Sequence, residues 1–203
     1  MESQVSDRSE DEIHQIVQRV LQRYAGLSTQ TAPAAGETAA PKTSVPADPG
    51  AAGRKVVAIG ADHGGFDLKE VLKTDLAKMG YEVIDVGTHS KEAVDYPDFA
   101  HDVARLVGSG KAWRGIMIDG AGIGSCIVAN KVPGVRAGMA YDYSSALNGR
   151  EHNDTNVLTL GAGLIGPNLA KQIVTVWLAT GFGGGRHAGR VNKITAVEKQ
   201  YLK

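Results

Sequence analysis

The chain has 203 residues, 42% of them hydrophobic, and its 22 basic and 22 acidic side chains give a formal net charge of zero. A net charge of zero argues against a protein that binds nucleic acid or membranes through an overall positive charge. A local binding site for an anion is still possible. Apolar runs are too short for a membrane span, and none follows the acidic start as a secretory signal would. The single Cys126 excludes an internal disulfide framework and a multi-cysteine metal site. We therefore expect a cytoplasmic protein.

The first 26 residues predict a short amphipathic helix. Ser9 and Glu12 have the spacing of a capping box. Apolar residues then recur at helical spacing on one face, namely Ile13, Ile16, Val17, Val20, Leu21 and Tyr24. Because an isolated helix of about 15 residues is marginal in water, this face is expected to need a partner surface.

Residues 27–53 predict a flexible linker. Nearly all of them are Ala, Pro, Gly, Ser or Thr, and the segment holds four of the seven prolines in the chain. Such a composition has little apolar surface to offset the entropy of ordering. The linker separates the first helix from a body that spans residues 54–203.

The body alternates short apolar strands with amphipathic helices. Strands are predicted near residues 55–60, 81–87, 115–119, 135–141 and 156–161. Helices are predicted near 66–79 and 98–107, then one that ends near 131, one that begins near 143, and two near 167–179 and 190–202. This alternation predicts an α/β fold, a Rossmann-like, doubly wound, five-stranded parallel sheet with helices on both faces. Ligands of such folds bind at the carboxyl ends of the strands.

A glycine-rich turn follows the third predicted strand. Gly120, Gly122 and Gly124 could present backbone N–H groups to an anion, or could simply form a tight structural turn. The spacing is not that of the dinucleotide fingerprint. Asp142 follows a helix and a complete strand, where a ribose-binding acid is not expected, so dinucleotide binding is disfavoured.

Several polar side chains near the ends of the predicted strands and helices each allow two interpretations. Asp119 is either a helix cap or a functional carboxylate, and His152 either completes core hydrogen bonds or acts on a ligand. Arg186 and Arg190 suit a phosphate or a solvated helix start. Cys126 is most simply a small buried hydrophobe. No spacing of His, Asp or Glu predicts a metal site.

Six ordered segments between about Lys55 and Lys203 carry these residues. They are Gly60-Ala-Asp-His-Gly-Gly-Phe, Val94-Asp-Tyr-Pro-Asp, Asp119-Gly-Ala-Gly-Ile-Gly, Ala129-Asn-Lys, Arg150-Glu-His-Asn-Asp-Thr-Asn-Val-Leu and Gly184-Gly-Arg-His-Ala-Gly-Arg-Val. Together they resemble the ribose-5-phosphate isomerase B family, within a wider group of sugar-phosphate isomerases. The resemblance implies aldose–ketose isomerisation of ribose 5-phosphate and ribulose 5-phosphate through an enediolate, with no metal or organic cofactor. It also implies a homodimer or dimer of dimers in which two subunits build each site.

The resemblance further implies roles for individual residues. Those expected to contact the substrate or its developing oxyanion are Asp62, His63, Tyr96, Gly120, Gly122, Gly124 and Asn153. His63, Arg186 and Arg190 are expected to bind the phosphate, and His152 to assist ring opening.

Three positions depart from the family pattern. Many members have a cysteine base where this chain has Asp119, and another subgroup has a glutamate base where it has Ser125. Ala121 also stands where family members usually have a Thr or Ser, so one hydroxyl donor is missing. Because a free aspartate is almost fully ionised at pH 7, we expect Asp119 to act as the carbon base in place of the cysteine.

Alternative functions remain open at this level. The chain could isomerise another sugar phosphate, a tetrose or a hexose, or it could be a relative that binds sugar phosphates without catalysis. A nucleotide-binding domain is a third alternative.

The N-terminal segment resembles the encapsulation peptides that carry enzymes into bacterial microcompartments. Residues 9–24 are then expected to dock on a shell protein, and the enzyme to reside inside the compartment. A self-associating or disordered tail is the alternative interpretation.

Overall fold

The computed structural model describes residues 55–202 and the single residue Gln15. Apart from Gln15, the predicted helix at residues 9–24 and the linker at residues 27–53 lie outside the described residues, so both stay predictions. In the part that is described, no helix combines the length and apolarity needed to cross a bilayer.

Five parallel strands form one sheet in the order β2–β1–β3–β5–β4. The strands are β1 (Val56–Ala61), β2 (Glu82–Asp85), β3 (Arg114–Asp119), β4 (Ala137–Met139) and β5 (Val157–Gly161). The central strand β3 pairs with β1 on one side and β5 on the other. The predicted five-stranded parallel sheet is therefore confirmed.

Helices connect the strands and cover both faces of the sheet. They are α1 (Phe66–Lys78), α2 (Tyr96–Gly108), α3 (Ile123–Ala129), α4 (Tyr143–Asn153), α5 (Pro167–Ala179) and α6 (Arg186–Tyr201). The prediction for α6 was wrong at its start, since the helix begins at Arg186 rather than near Arg190. Positive φ angles at Gly184 and Gly185 end the preceding loop, and Gly189 is accommodated inside the helix.

Two apolar layers hold the helices on the sheet. Ile116 and Ile118 of β3 pack in the layer shared with α1 and α5, whereas the intervening Met117 belongs to the layer under α2. This alternation follows from the two-residue period of a strand. A Cβ on Gly115 would lie 2.6 Å from Val103 of α2, so the glycine permits the close approach of that helix. The packed sheet holds the carboxyl ends of β1, β3 and β5 side by side.

Candidate active site

A tight glycine turn joins β3 to α3. Gly122 has a φ angle of 78°, in the left-handed region that favours glycine. A Cβ at this position would also lie 3.0 Å from the carbonyl carbon of Leu160 on β5. Gly122 is therefore needed for the turn itself, whatever the turn binds.

The carboxylate of Asp119 lies inside this turn and is only 4% exposed. Its Oδ1 accepts hydrogen bonds from the N–H groups of Ala121, at 2.9 Å, and Gly122. Its Oδ2 accepts from the N–H of Ser125, at 3.2 Å, and from the Ser125 hydroxyl. A carboxylate has about four lone-pair positions, and these four donors occupy them. Asp119 thus has the geometry of a cap, and it can take a proton only after one donor leaves.

Ser125 and Cys126 follow the turn on α3. Ser125 is fully buried beneath Asp119. Cys126 is half-buried, with its Sγ 3.5 Å from the carbonyl oxygen of Ala137. Burial, helped by the charge of Asp119, raises the pKa of the Cys126 thiol against the hydrogen bonds that lower it. The Cys126 thiol is therefore protonated at neutral pH.

The loop after β1 lies against the glycine turn. Asp62 is buried, and its Oδ1 accepts a hydrogen bond from the N–H of Gly65 at 2.9 Å. A Cβ on Gly64 would lie 3.4 Å from that oxygen and 3.9 Å from the backbone nitrogen of Gly120. The neighbouring His63 is exposed, and its Nδ1 lies 3.2 Å from the carbonyl oxygen of Val94.

Tyr96 reaches the same turn from the start of α2. A Cβ on Gly124 would lie 2.5 Å from Cζ and Oη of the Tyr96 ring, so the ring rests directly on this glycine. The side chain is 37% exposed, which leaves part of the ring open to a ligand. The structure therefore brings Asp62, Tyr96 and the glycine turn together.

The loop after β5 completes this group, although sequence reasoning did not single it out. The N–H of Ala162 donates to the carbonyl oxygen of Asp119 at 2.8 Å, and the N–H of Gly163 donates to that of Gly120 at 3.0 Å. These two backbone hydrogen bonds tie the loop after β5 to the glycine turn. The repeated glycines of this loop were the available signal.

A second group of polar residues lies where α4 meets α6. The imidazole rings of His152 and His187 stack with their centroids 4.1 Å apart and their planes at 7°. The Nε of Arg186 lies 3.5 Å from Nε2 of His187. Desolvation, together with the electrostatic effects of the neighbouring His152, Arg186 and Arg190, lowers the pKa of His187.

His187 was missed by sequence reasoning, although it lies between the two arginines that the sequence singled out. Its side chain is 8% exposed, and its Nδ1 is buried without a hydrogen-bond partner among the described residues. A buried polar atom without a partner is a candidate to bind a ligand atom or a water molecule.

Asn148 and Asn153 border this second group on α4. Nδ2 of Asn148 lies 2.9 Å from Nδ1 of His152, one helical turn away. Asn153 is exposed and, with Asn148 and Ser145, lines a cavity of about 430 Å³ beside β4.

The two groups remain separate within one chain. Among residues 55–202, no hydrogen bond, ion pair or ring contact joins Arg186 or Arg190 to the residues around Asp119. Within the same range, no three His, Cys, Asp or Glu side chains are grouped so as to hold a metal ion.

Comparison with known proteins identifies the family. The model of the ribose/galactose isomerase family matches residues 57–194. The chain belongs to this family. The match runs from β1 into the first half of α6, and so includes both groups of polar residues.

Members of the ribose/galactose isomerase family resemble the chain over nearly their whole length. Ribose-5-phosphate isomerase B of Escherichia coli K12 is 47% identical over 146 residues, 72% of this chain and 98% of that protein. D-erythrulose-4-phosphate isomerase of Pectobacterium atrosepticum is 44% identical over 145 residues, 71% of this chain and 95% of that protein. The solved structure of Clostridium thermocellum ribose-5-phosphate isomerase B is 53% identical with a TM-score of 0.71, covering 72% of this chain and 99% of that one.

The resemblance of residues 55–203 to the ribose-5-phosphate isomerase B family is thereby confirmed, and so is the fold. The chain is an isomerase of the ribose-5-phosphate isomerase B type. The individual roles of its site residues stay predictions.

Proposed function

We propose that the chain interconverts ribose 5-phosphate and ribulose 5-phosphate through an enediolate, with Asp119 as the carbon base. The observation that carries the proposal is the position of the Asp119 carboxylate, at the end of the central strand where three loops meet. Family membership supports the reaction type.

The reaction needs three contributions from the protein. A base removes the proton from C2 of the open-chain aldose and returns one to C1, while the hydrogen on O2 moves to O1. Hydrogen-bond donors stabilise the oxygen that becomes negative, and we assign this role to Asn153 and the turn at Gly120, Gly122 and Gly124. A remote grip on the phosphate orients the reacting carbons.

The remaining predicted residues have complementary roles in this scheme. Asp62 binds substrate hydroxyls, Tyr96 lines the pocket, and His152 assists ring opening. The phosphate binds to His63, Arg186 and Arg190.

For Asp119 to act, one of its four hydrogen bonds must open. The Ser125 hydroxyl is the donor that can leave most easily, because rotation about one bond moves it while the backbone N–H groups stay fixed in the turn. We propose that substrate binding displaces this bond and exposes one lone pair of Oδ2.

The test is hydrogen exchange from D2O into the carbon next to the carbonyl, on a panel of tetrose, pentose and hexose phosphates. The wild-type chain is expected to incorporate deuterium into ribose 5-phosphate and to convert it to ribulose 5-phosphate. Asp119→Asn should lower the exchange rate by at least about a thousandfold, since general-base catalysis contributes about that much. Activity of Asp119→Asn within a few-fold of wild type would remove Asp119 from the mechanism.

Asp119→Cys is the matched variant, because it restores the base that many family members use. It is expected to retain activity on ribose 5-phosphate. Binding of sugar phosphates with no exchange by the wild type or by Asp119→Cys would instead identify a non-catalytic relative.

A tetrose phosphate is the second candidate substrate. The P. atrosepticum relative, 44% identical, is a D-erythrulose-4-phosphate isomerase. The same substrate panel decides between the two, through the ratio of kcat/KM for erythrose 4-phosphate and ribose 5-phosphate.

We further propose a homodimer, alone or as a dimer of dimers, in which Arg186 and Arg190 of one subunit complete the site around Asp119 of the other. Exposed apolar side chains support this arrangement, namely Ile123 and Ile127 on α3 and Ile194, Val197 and Tyr201 on α6. Their exposure in a single chain is typical of a surface that another protein covers.

Mixed dimers test the shared site. Asp119→Asn and Arg190→Ala chains are each expected to be nearly inactive. Mixing them should restore about a quarter of the wild-type sites, because about half of the random dimers are mixed and each has one intact site. No recovery after mixing would place both residues in a site within one subunit.

We also propose, from the sequence alone, that residues 9–24 dock on a microcompartment shell protein through Ile13, Val17 and Val20. Deletion of residues 1–27 should abolish co-purification with shells and leave turnover unchanged. Unchanged co-purification would refute this role.

A further inference from the structure

We propose that Asn148 is a positioning residue, which fixes the imidazole nitrogen of His152 that carries the proton. The inference rests on the proposed function, because it concerns how His152 assists ring opening. It starts from one contact on α4, where Nδ2 of Asn148 lies 2.9 Å from Nδ1 of His152.

The contact sets the tautomer of the ring. A neutral imidazole has one nitrogen that donates and one that accepts. The amide Nδ2 of Asn148 can only donate, so Nδ1 of His152 accepts and the proton resides on Nε2. The residues are one turn apart on the same helix, which places them on the same face of α4.

A second contact holds the plane of the ring. His152 stacks on His187 at a centroid distance of 4.1 Å, and His187 is itself 92% buried by the packing around it. The stack holds the plane of the ring, and the hydrogen bond at Nδ1 fixes which edge faces Asn148, because a 180° flip within that plane would break this bond. Nε2–H is then the group of His152 that is offered to a ligand.

A fixed Nε2–H is suited to opening an aldofuranose ring. In ring opening the bond from C1 to the ring oxygen O4 breaks, O1–H releases its proton to solvent and O4 takes one from solvent. His152 keeps its own proton and donates a hydrogen bond to O4 while negative charge develops there. This is the electrophilic role that a neutral imidazole can fill.

The substrates themselves separate ring opening from isomerisation. Ribose 5-phosphate closes a five-membered ring between C1 and O4, so its conversion includes ring opening. Ribulose 5-phosphate cannot close such a ring, because its carbonyl is at C2 and its O5 is phosphorylated. Exchange of the C1 hydrogen of ribulose 5-phosphate with D2O therefore reports enolisation alone.

The test is Asn148→Asp, which replaces a donor by an acceptor of the same size at an exposed position. At about pH 9, above the ordinary imidazole pKa of about 6.5, the new carboxylate should draw the proton to Nδ1 and leave a lone pair on Nε2. Turnover of ribose 5-phosphate is expected to fall at least tenfold, and C1–H exchange of ribulose 5-phosphate to stay within threefold. Asn168→Asp, an equal change of charge at an exposed position on α5, is the control and should alter neither rate.

The tautomer is measured directly from the 15N chemical shifts of the His152 ring. The wild type is expected to carry hydrogen on Nε2, and Asn148→Asp to carry it on Nδ1. Hydrogen on Nδ1 in the wild type, or an equal fall of both rates in Asn148→Asp, would overturn the inference. Absence of any exchange by the wild type would refute the proposed function, while the tautomer would still decide the role of Asn148.

Discussion

The Ser125 hydroxyl donates a hydrogen bond to Oδ2 of Asp119, and Ser125 is fully buried beneath that carboxylate. The position that carries a glutamate base in one subgroup of the family is thus occupied here by a donor to the candidate base. Two of the three departures from the family pattern, Asp119 and Ser125, are thereby coupled by one hydrogen bond.

Ser125→Ala tests this coupling. The substitution removes one of four donors and leaves a lone pair of Oδ2 free to accept a proton from carbon, with little change in buried volume. If Asp119 is the base, hydrogen exchange into the sugar phosphate should rise or stay within about twofold of wild type, and the free energy of unfolding should fall by about 1 kcal/mol.

Asp119→Asn in the Ser125→Ala background is the control, and it should exchange no faster than Asp119→Asn alone. A Ser125→Ala chain that loses most of its exchange activity while remaining folded would contradict the proposed displacement of this bond.

Gly124→Ala should weaken sugar-phosphate binding through Tyr96. The added methyl group would lie 2.5 Å from the Tyr96 ring, so the ring must move away from the pocket it is proposed to line. We expect KM to rise about tenfold, an effect of about 1.4 kcal/mol, with kcat changed less. Steady-state kinetics measure this.

A double-mutant cycle identifies the cause of the Gly124→Ala effect. With Tyr96→Ala in place, the methyl group meets no ring, and Gly124→Ala should add little to KM. Gly181→Ala, where a Cβ has no neighbour within 4 Å, is the matched control for a glycine replacement. Equal effects of Gly124→Ala with and without the Tyr96 ring would refute the steric explanation.

The sequence was sufficient to predict the sheet, because apolar strands alternated with helices at regular spacing. It could not decide between the two interpretations of Asp119, since a cap and a base both require a carboxylate at the end of β3. The hydrogen bonds that distinguish them depend on the coordinates of the turn. The stack of His152 on His187 joins residues that are distant in the sequence, so spacing did not indicate it. The contact of Asn148 with His152 spans one helical turn and was within reach of sequence reasoning.

Asp85 should make stability depend on acid pH. Its carboxylate binds Lys69, which is fully buried, at 2.9 and 2.7 Å, and also binds Lys73. Burial acts to raise the pKa of Asp85, but hydrogen bonds from Lys69, Lys73 and the Gly87 N–H together hold it below its usual value of 3.8. A lowered pKa contributes stability above the unfolded value, and this is lost as pH falls through the folded value. The loss should therefore occur below about pH 4.

Asp85→Asn leaves the buried Lys69 with a weaker set of partners. We expect the free energy of unfolding at pH 7 to fall by about 3 kcal/mol, the cost of breaking a buried pair. The difference from wild type should shrink below about pH 4, where the wild-type carboxyl is protonated too. Asp102→Asn, which breaks an exposed pair with Arg105, should cost less than about 1 kcal/mol. Urea unfolding across pH measures both, and a difference independent of pH would contradict the assignment.

Asn130 should protect the edge of the sheet at β4. Its Oδ1 accepts from the N–H of Ala137 at 2.9 Å, and its Nδ2 donates to the carbonyl oxygen of Ala137 at 3.0 Å. The side-chain amide thus pairs with the edge strand as the backbone of a sixth strand would. Unpaired backbone N–H and C=O groups of an edge strand can pair with the strand of another chain, whereas groups that already have partners cannot.

Asn130→Ala is expected to lower the free energy of unfolding by about 1 to 2 kcal/mol, the net value of two neutral hydrogen bonds. Amide hydrogen exchange at Ala137 should accelerate at least tenfold, because its N–H would then face solvent. Asn192→Ala, at an exposed position on α6, is the matched control and should change neither quantity. Because Asn130 also borders the cavity that Asn153 lines, C1–H exchange of ribulose 5-phosphate should be followed in parallel. Faster exchange at Ala137 with unchanged isomerisation would assign Asn130 to the edge of the sheet, whereas slow amide exchange in Asn130→Ala would contradict that role.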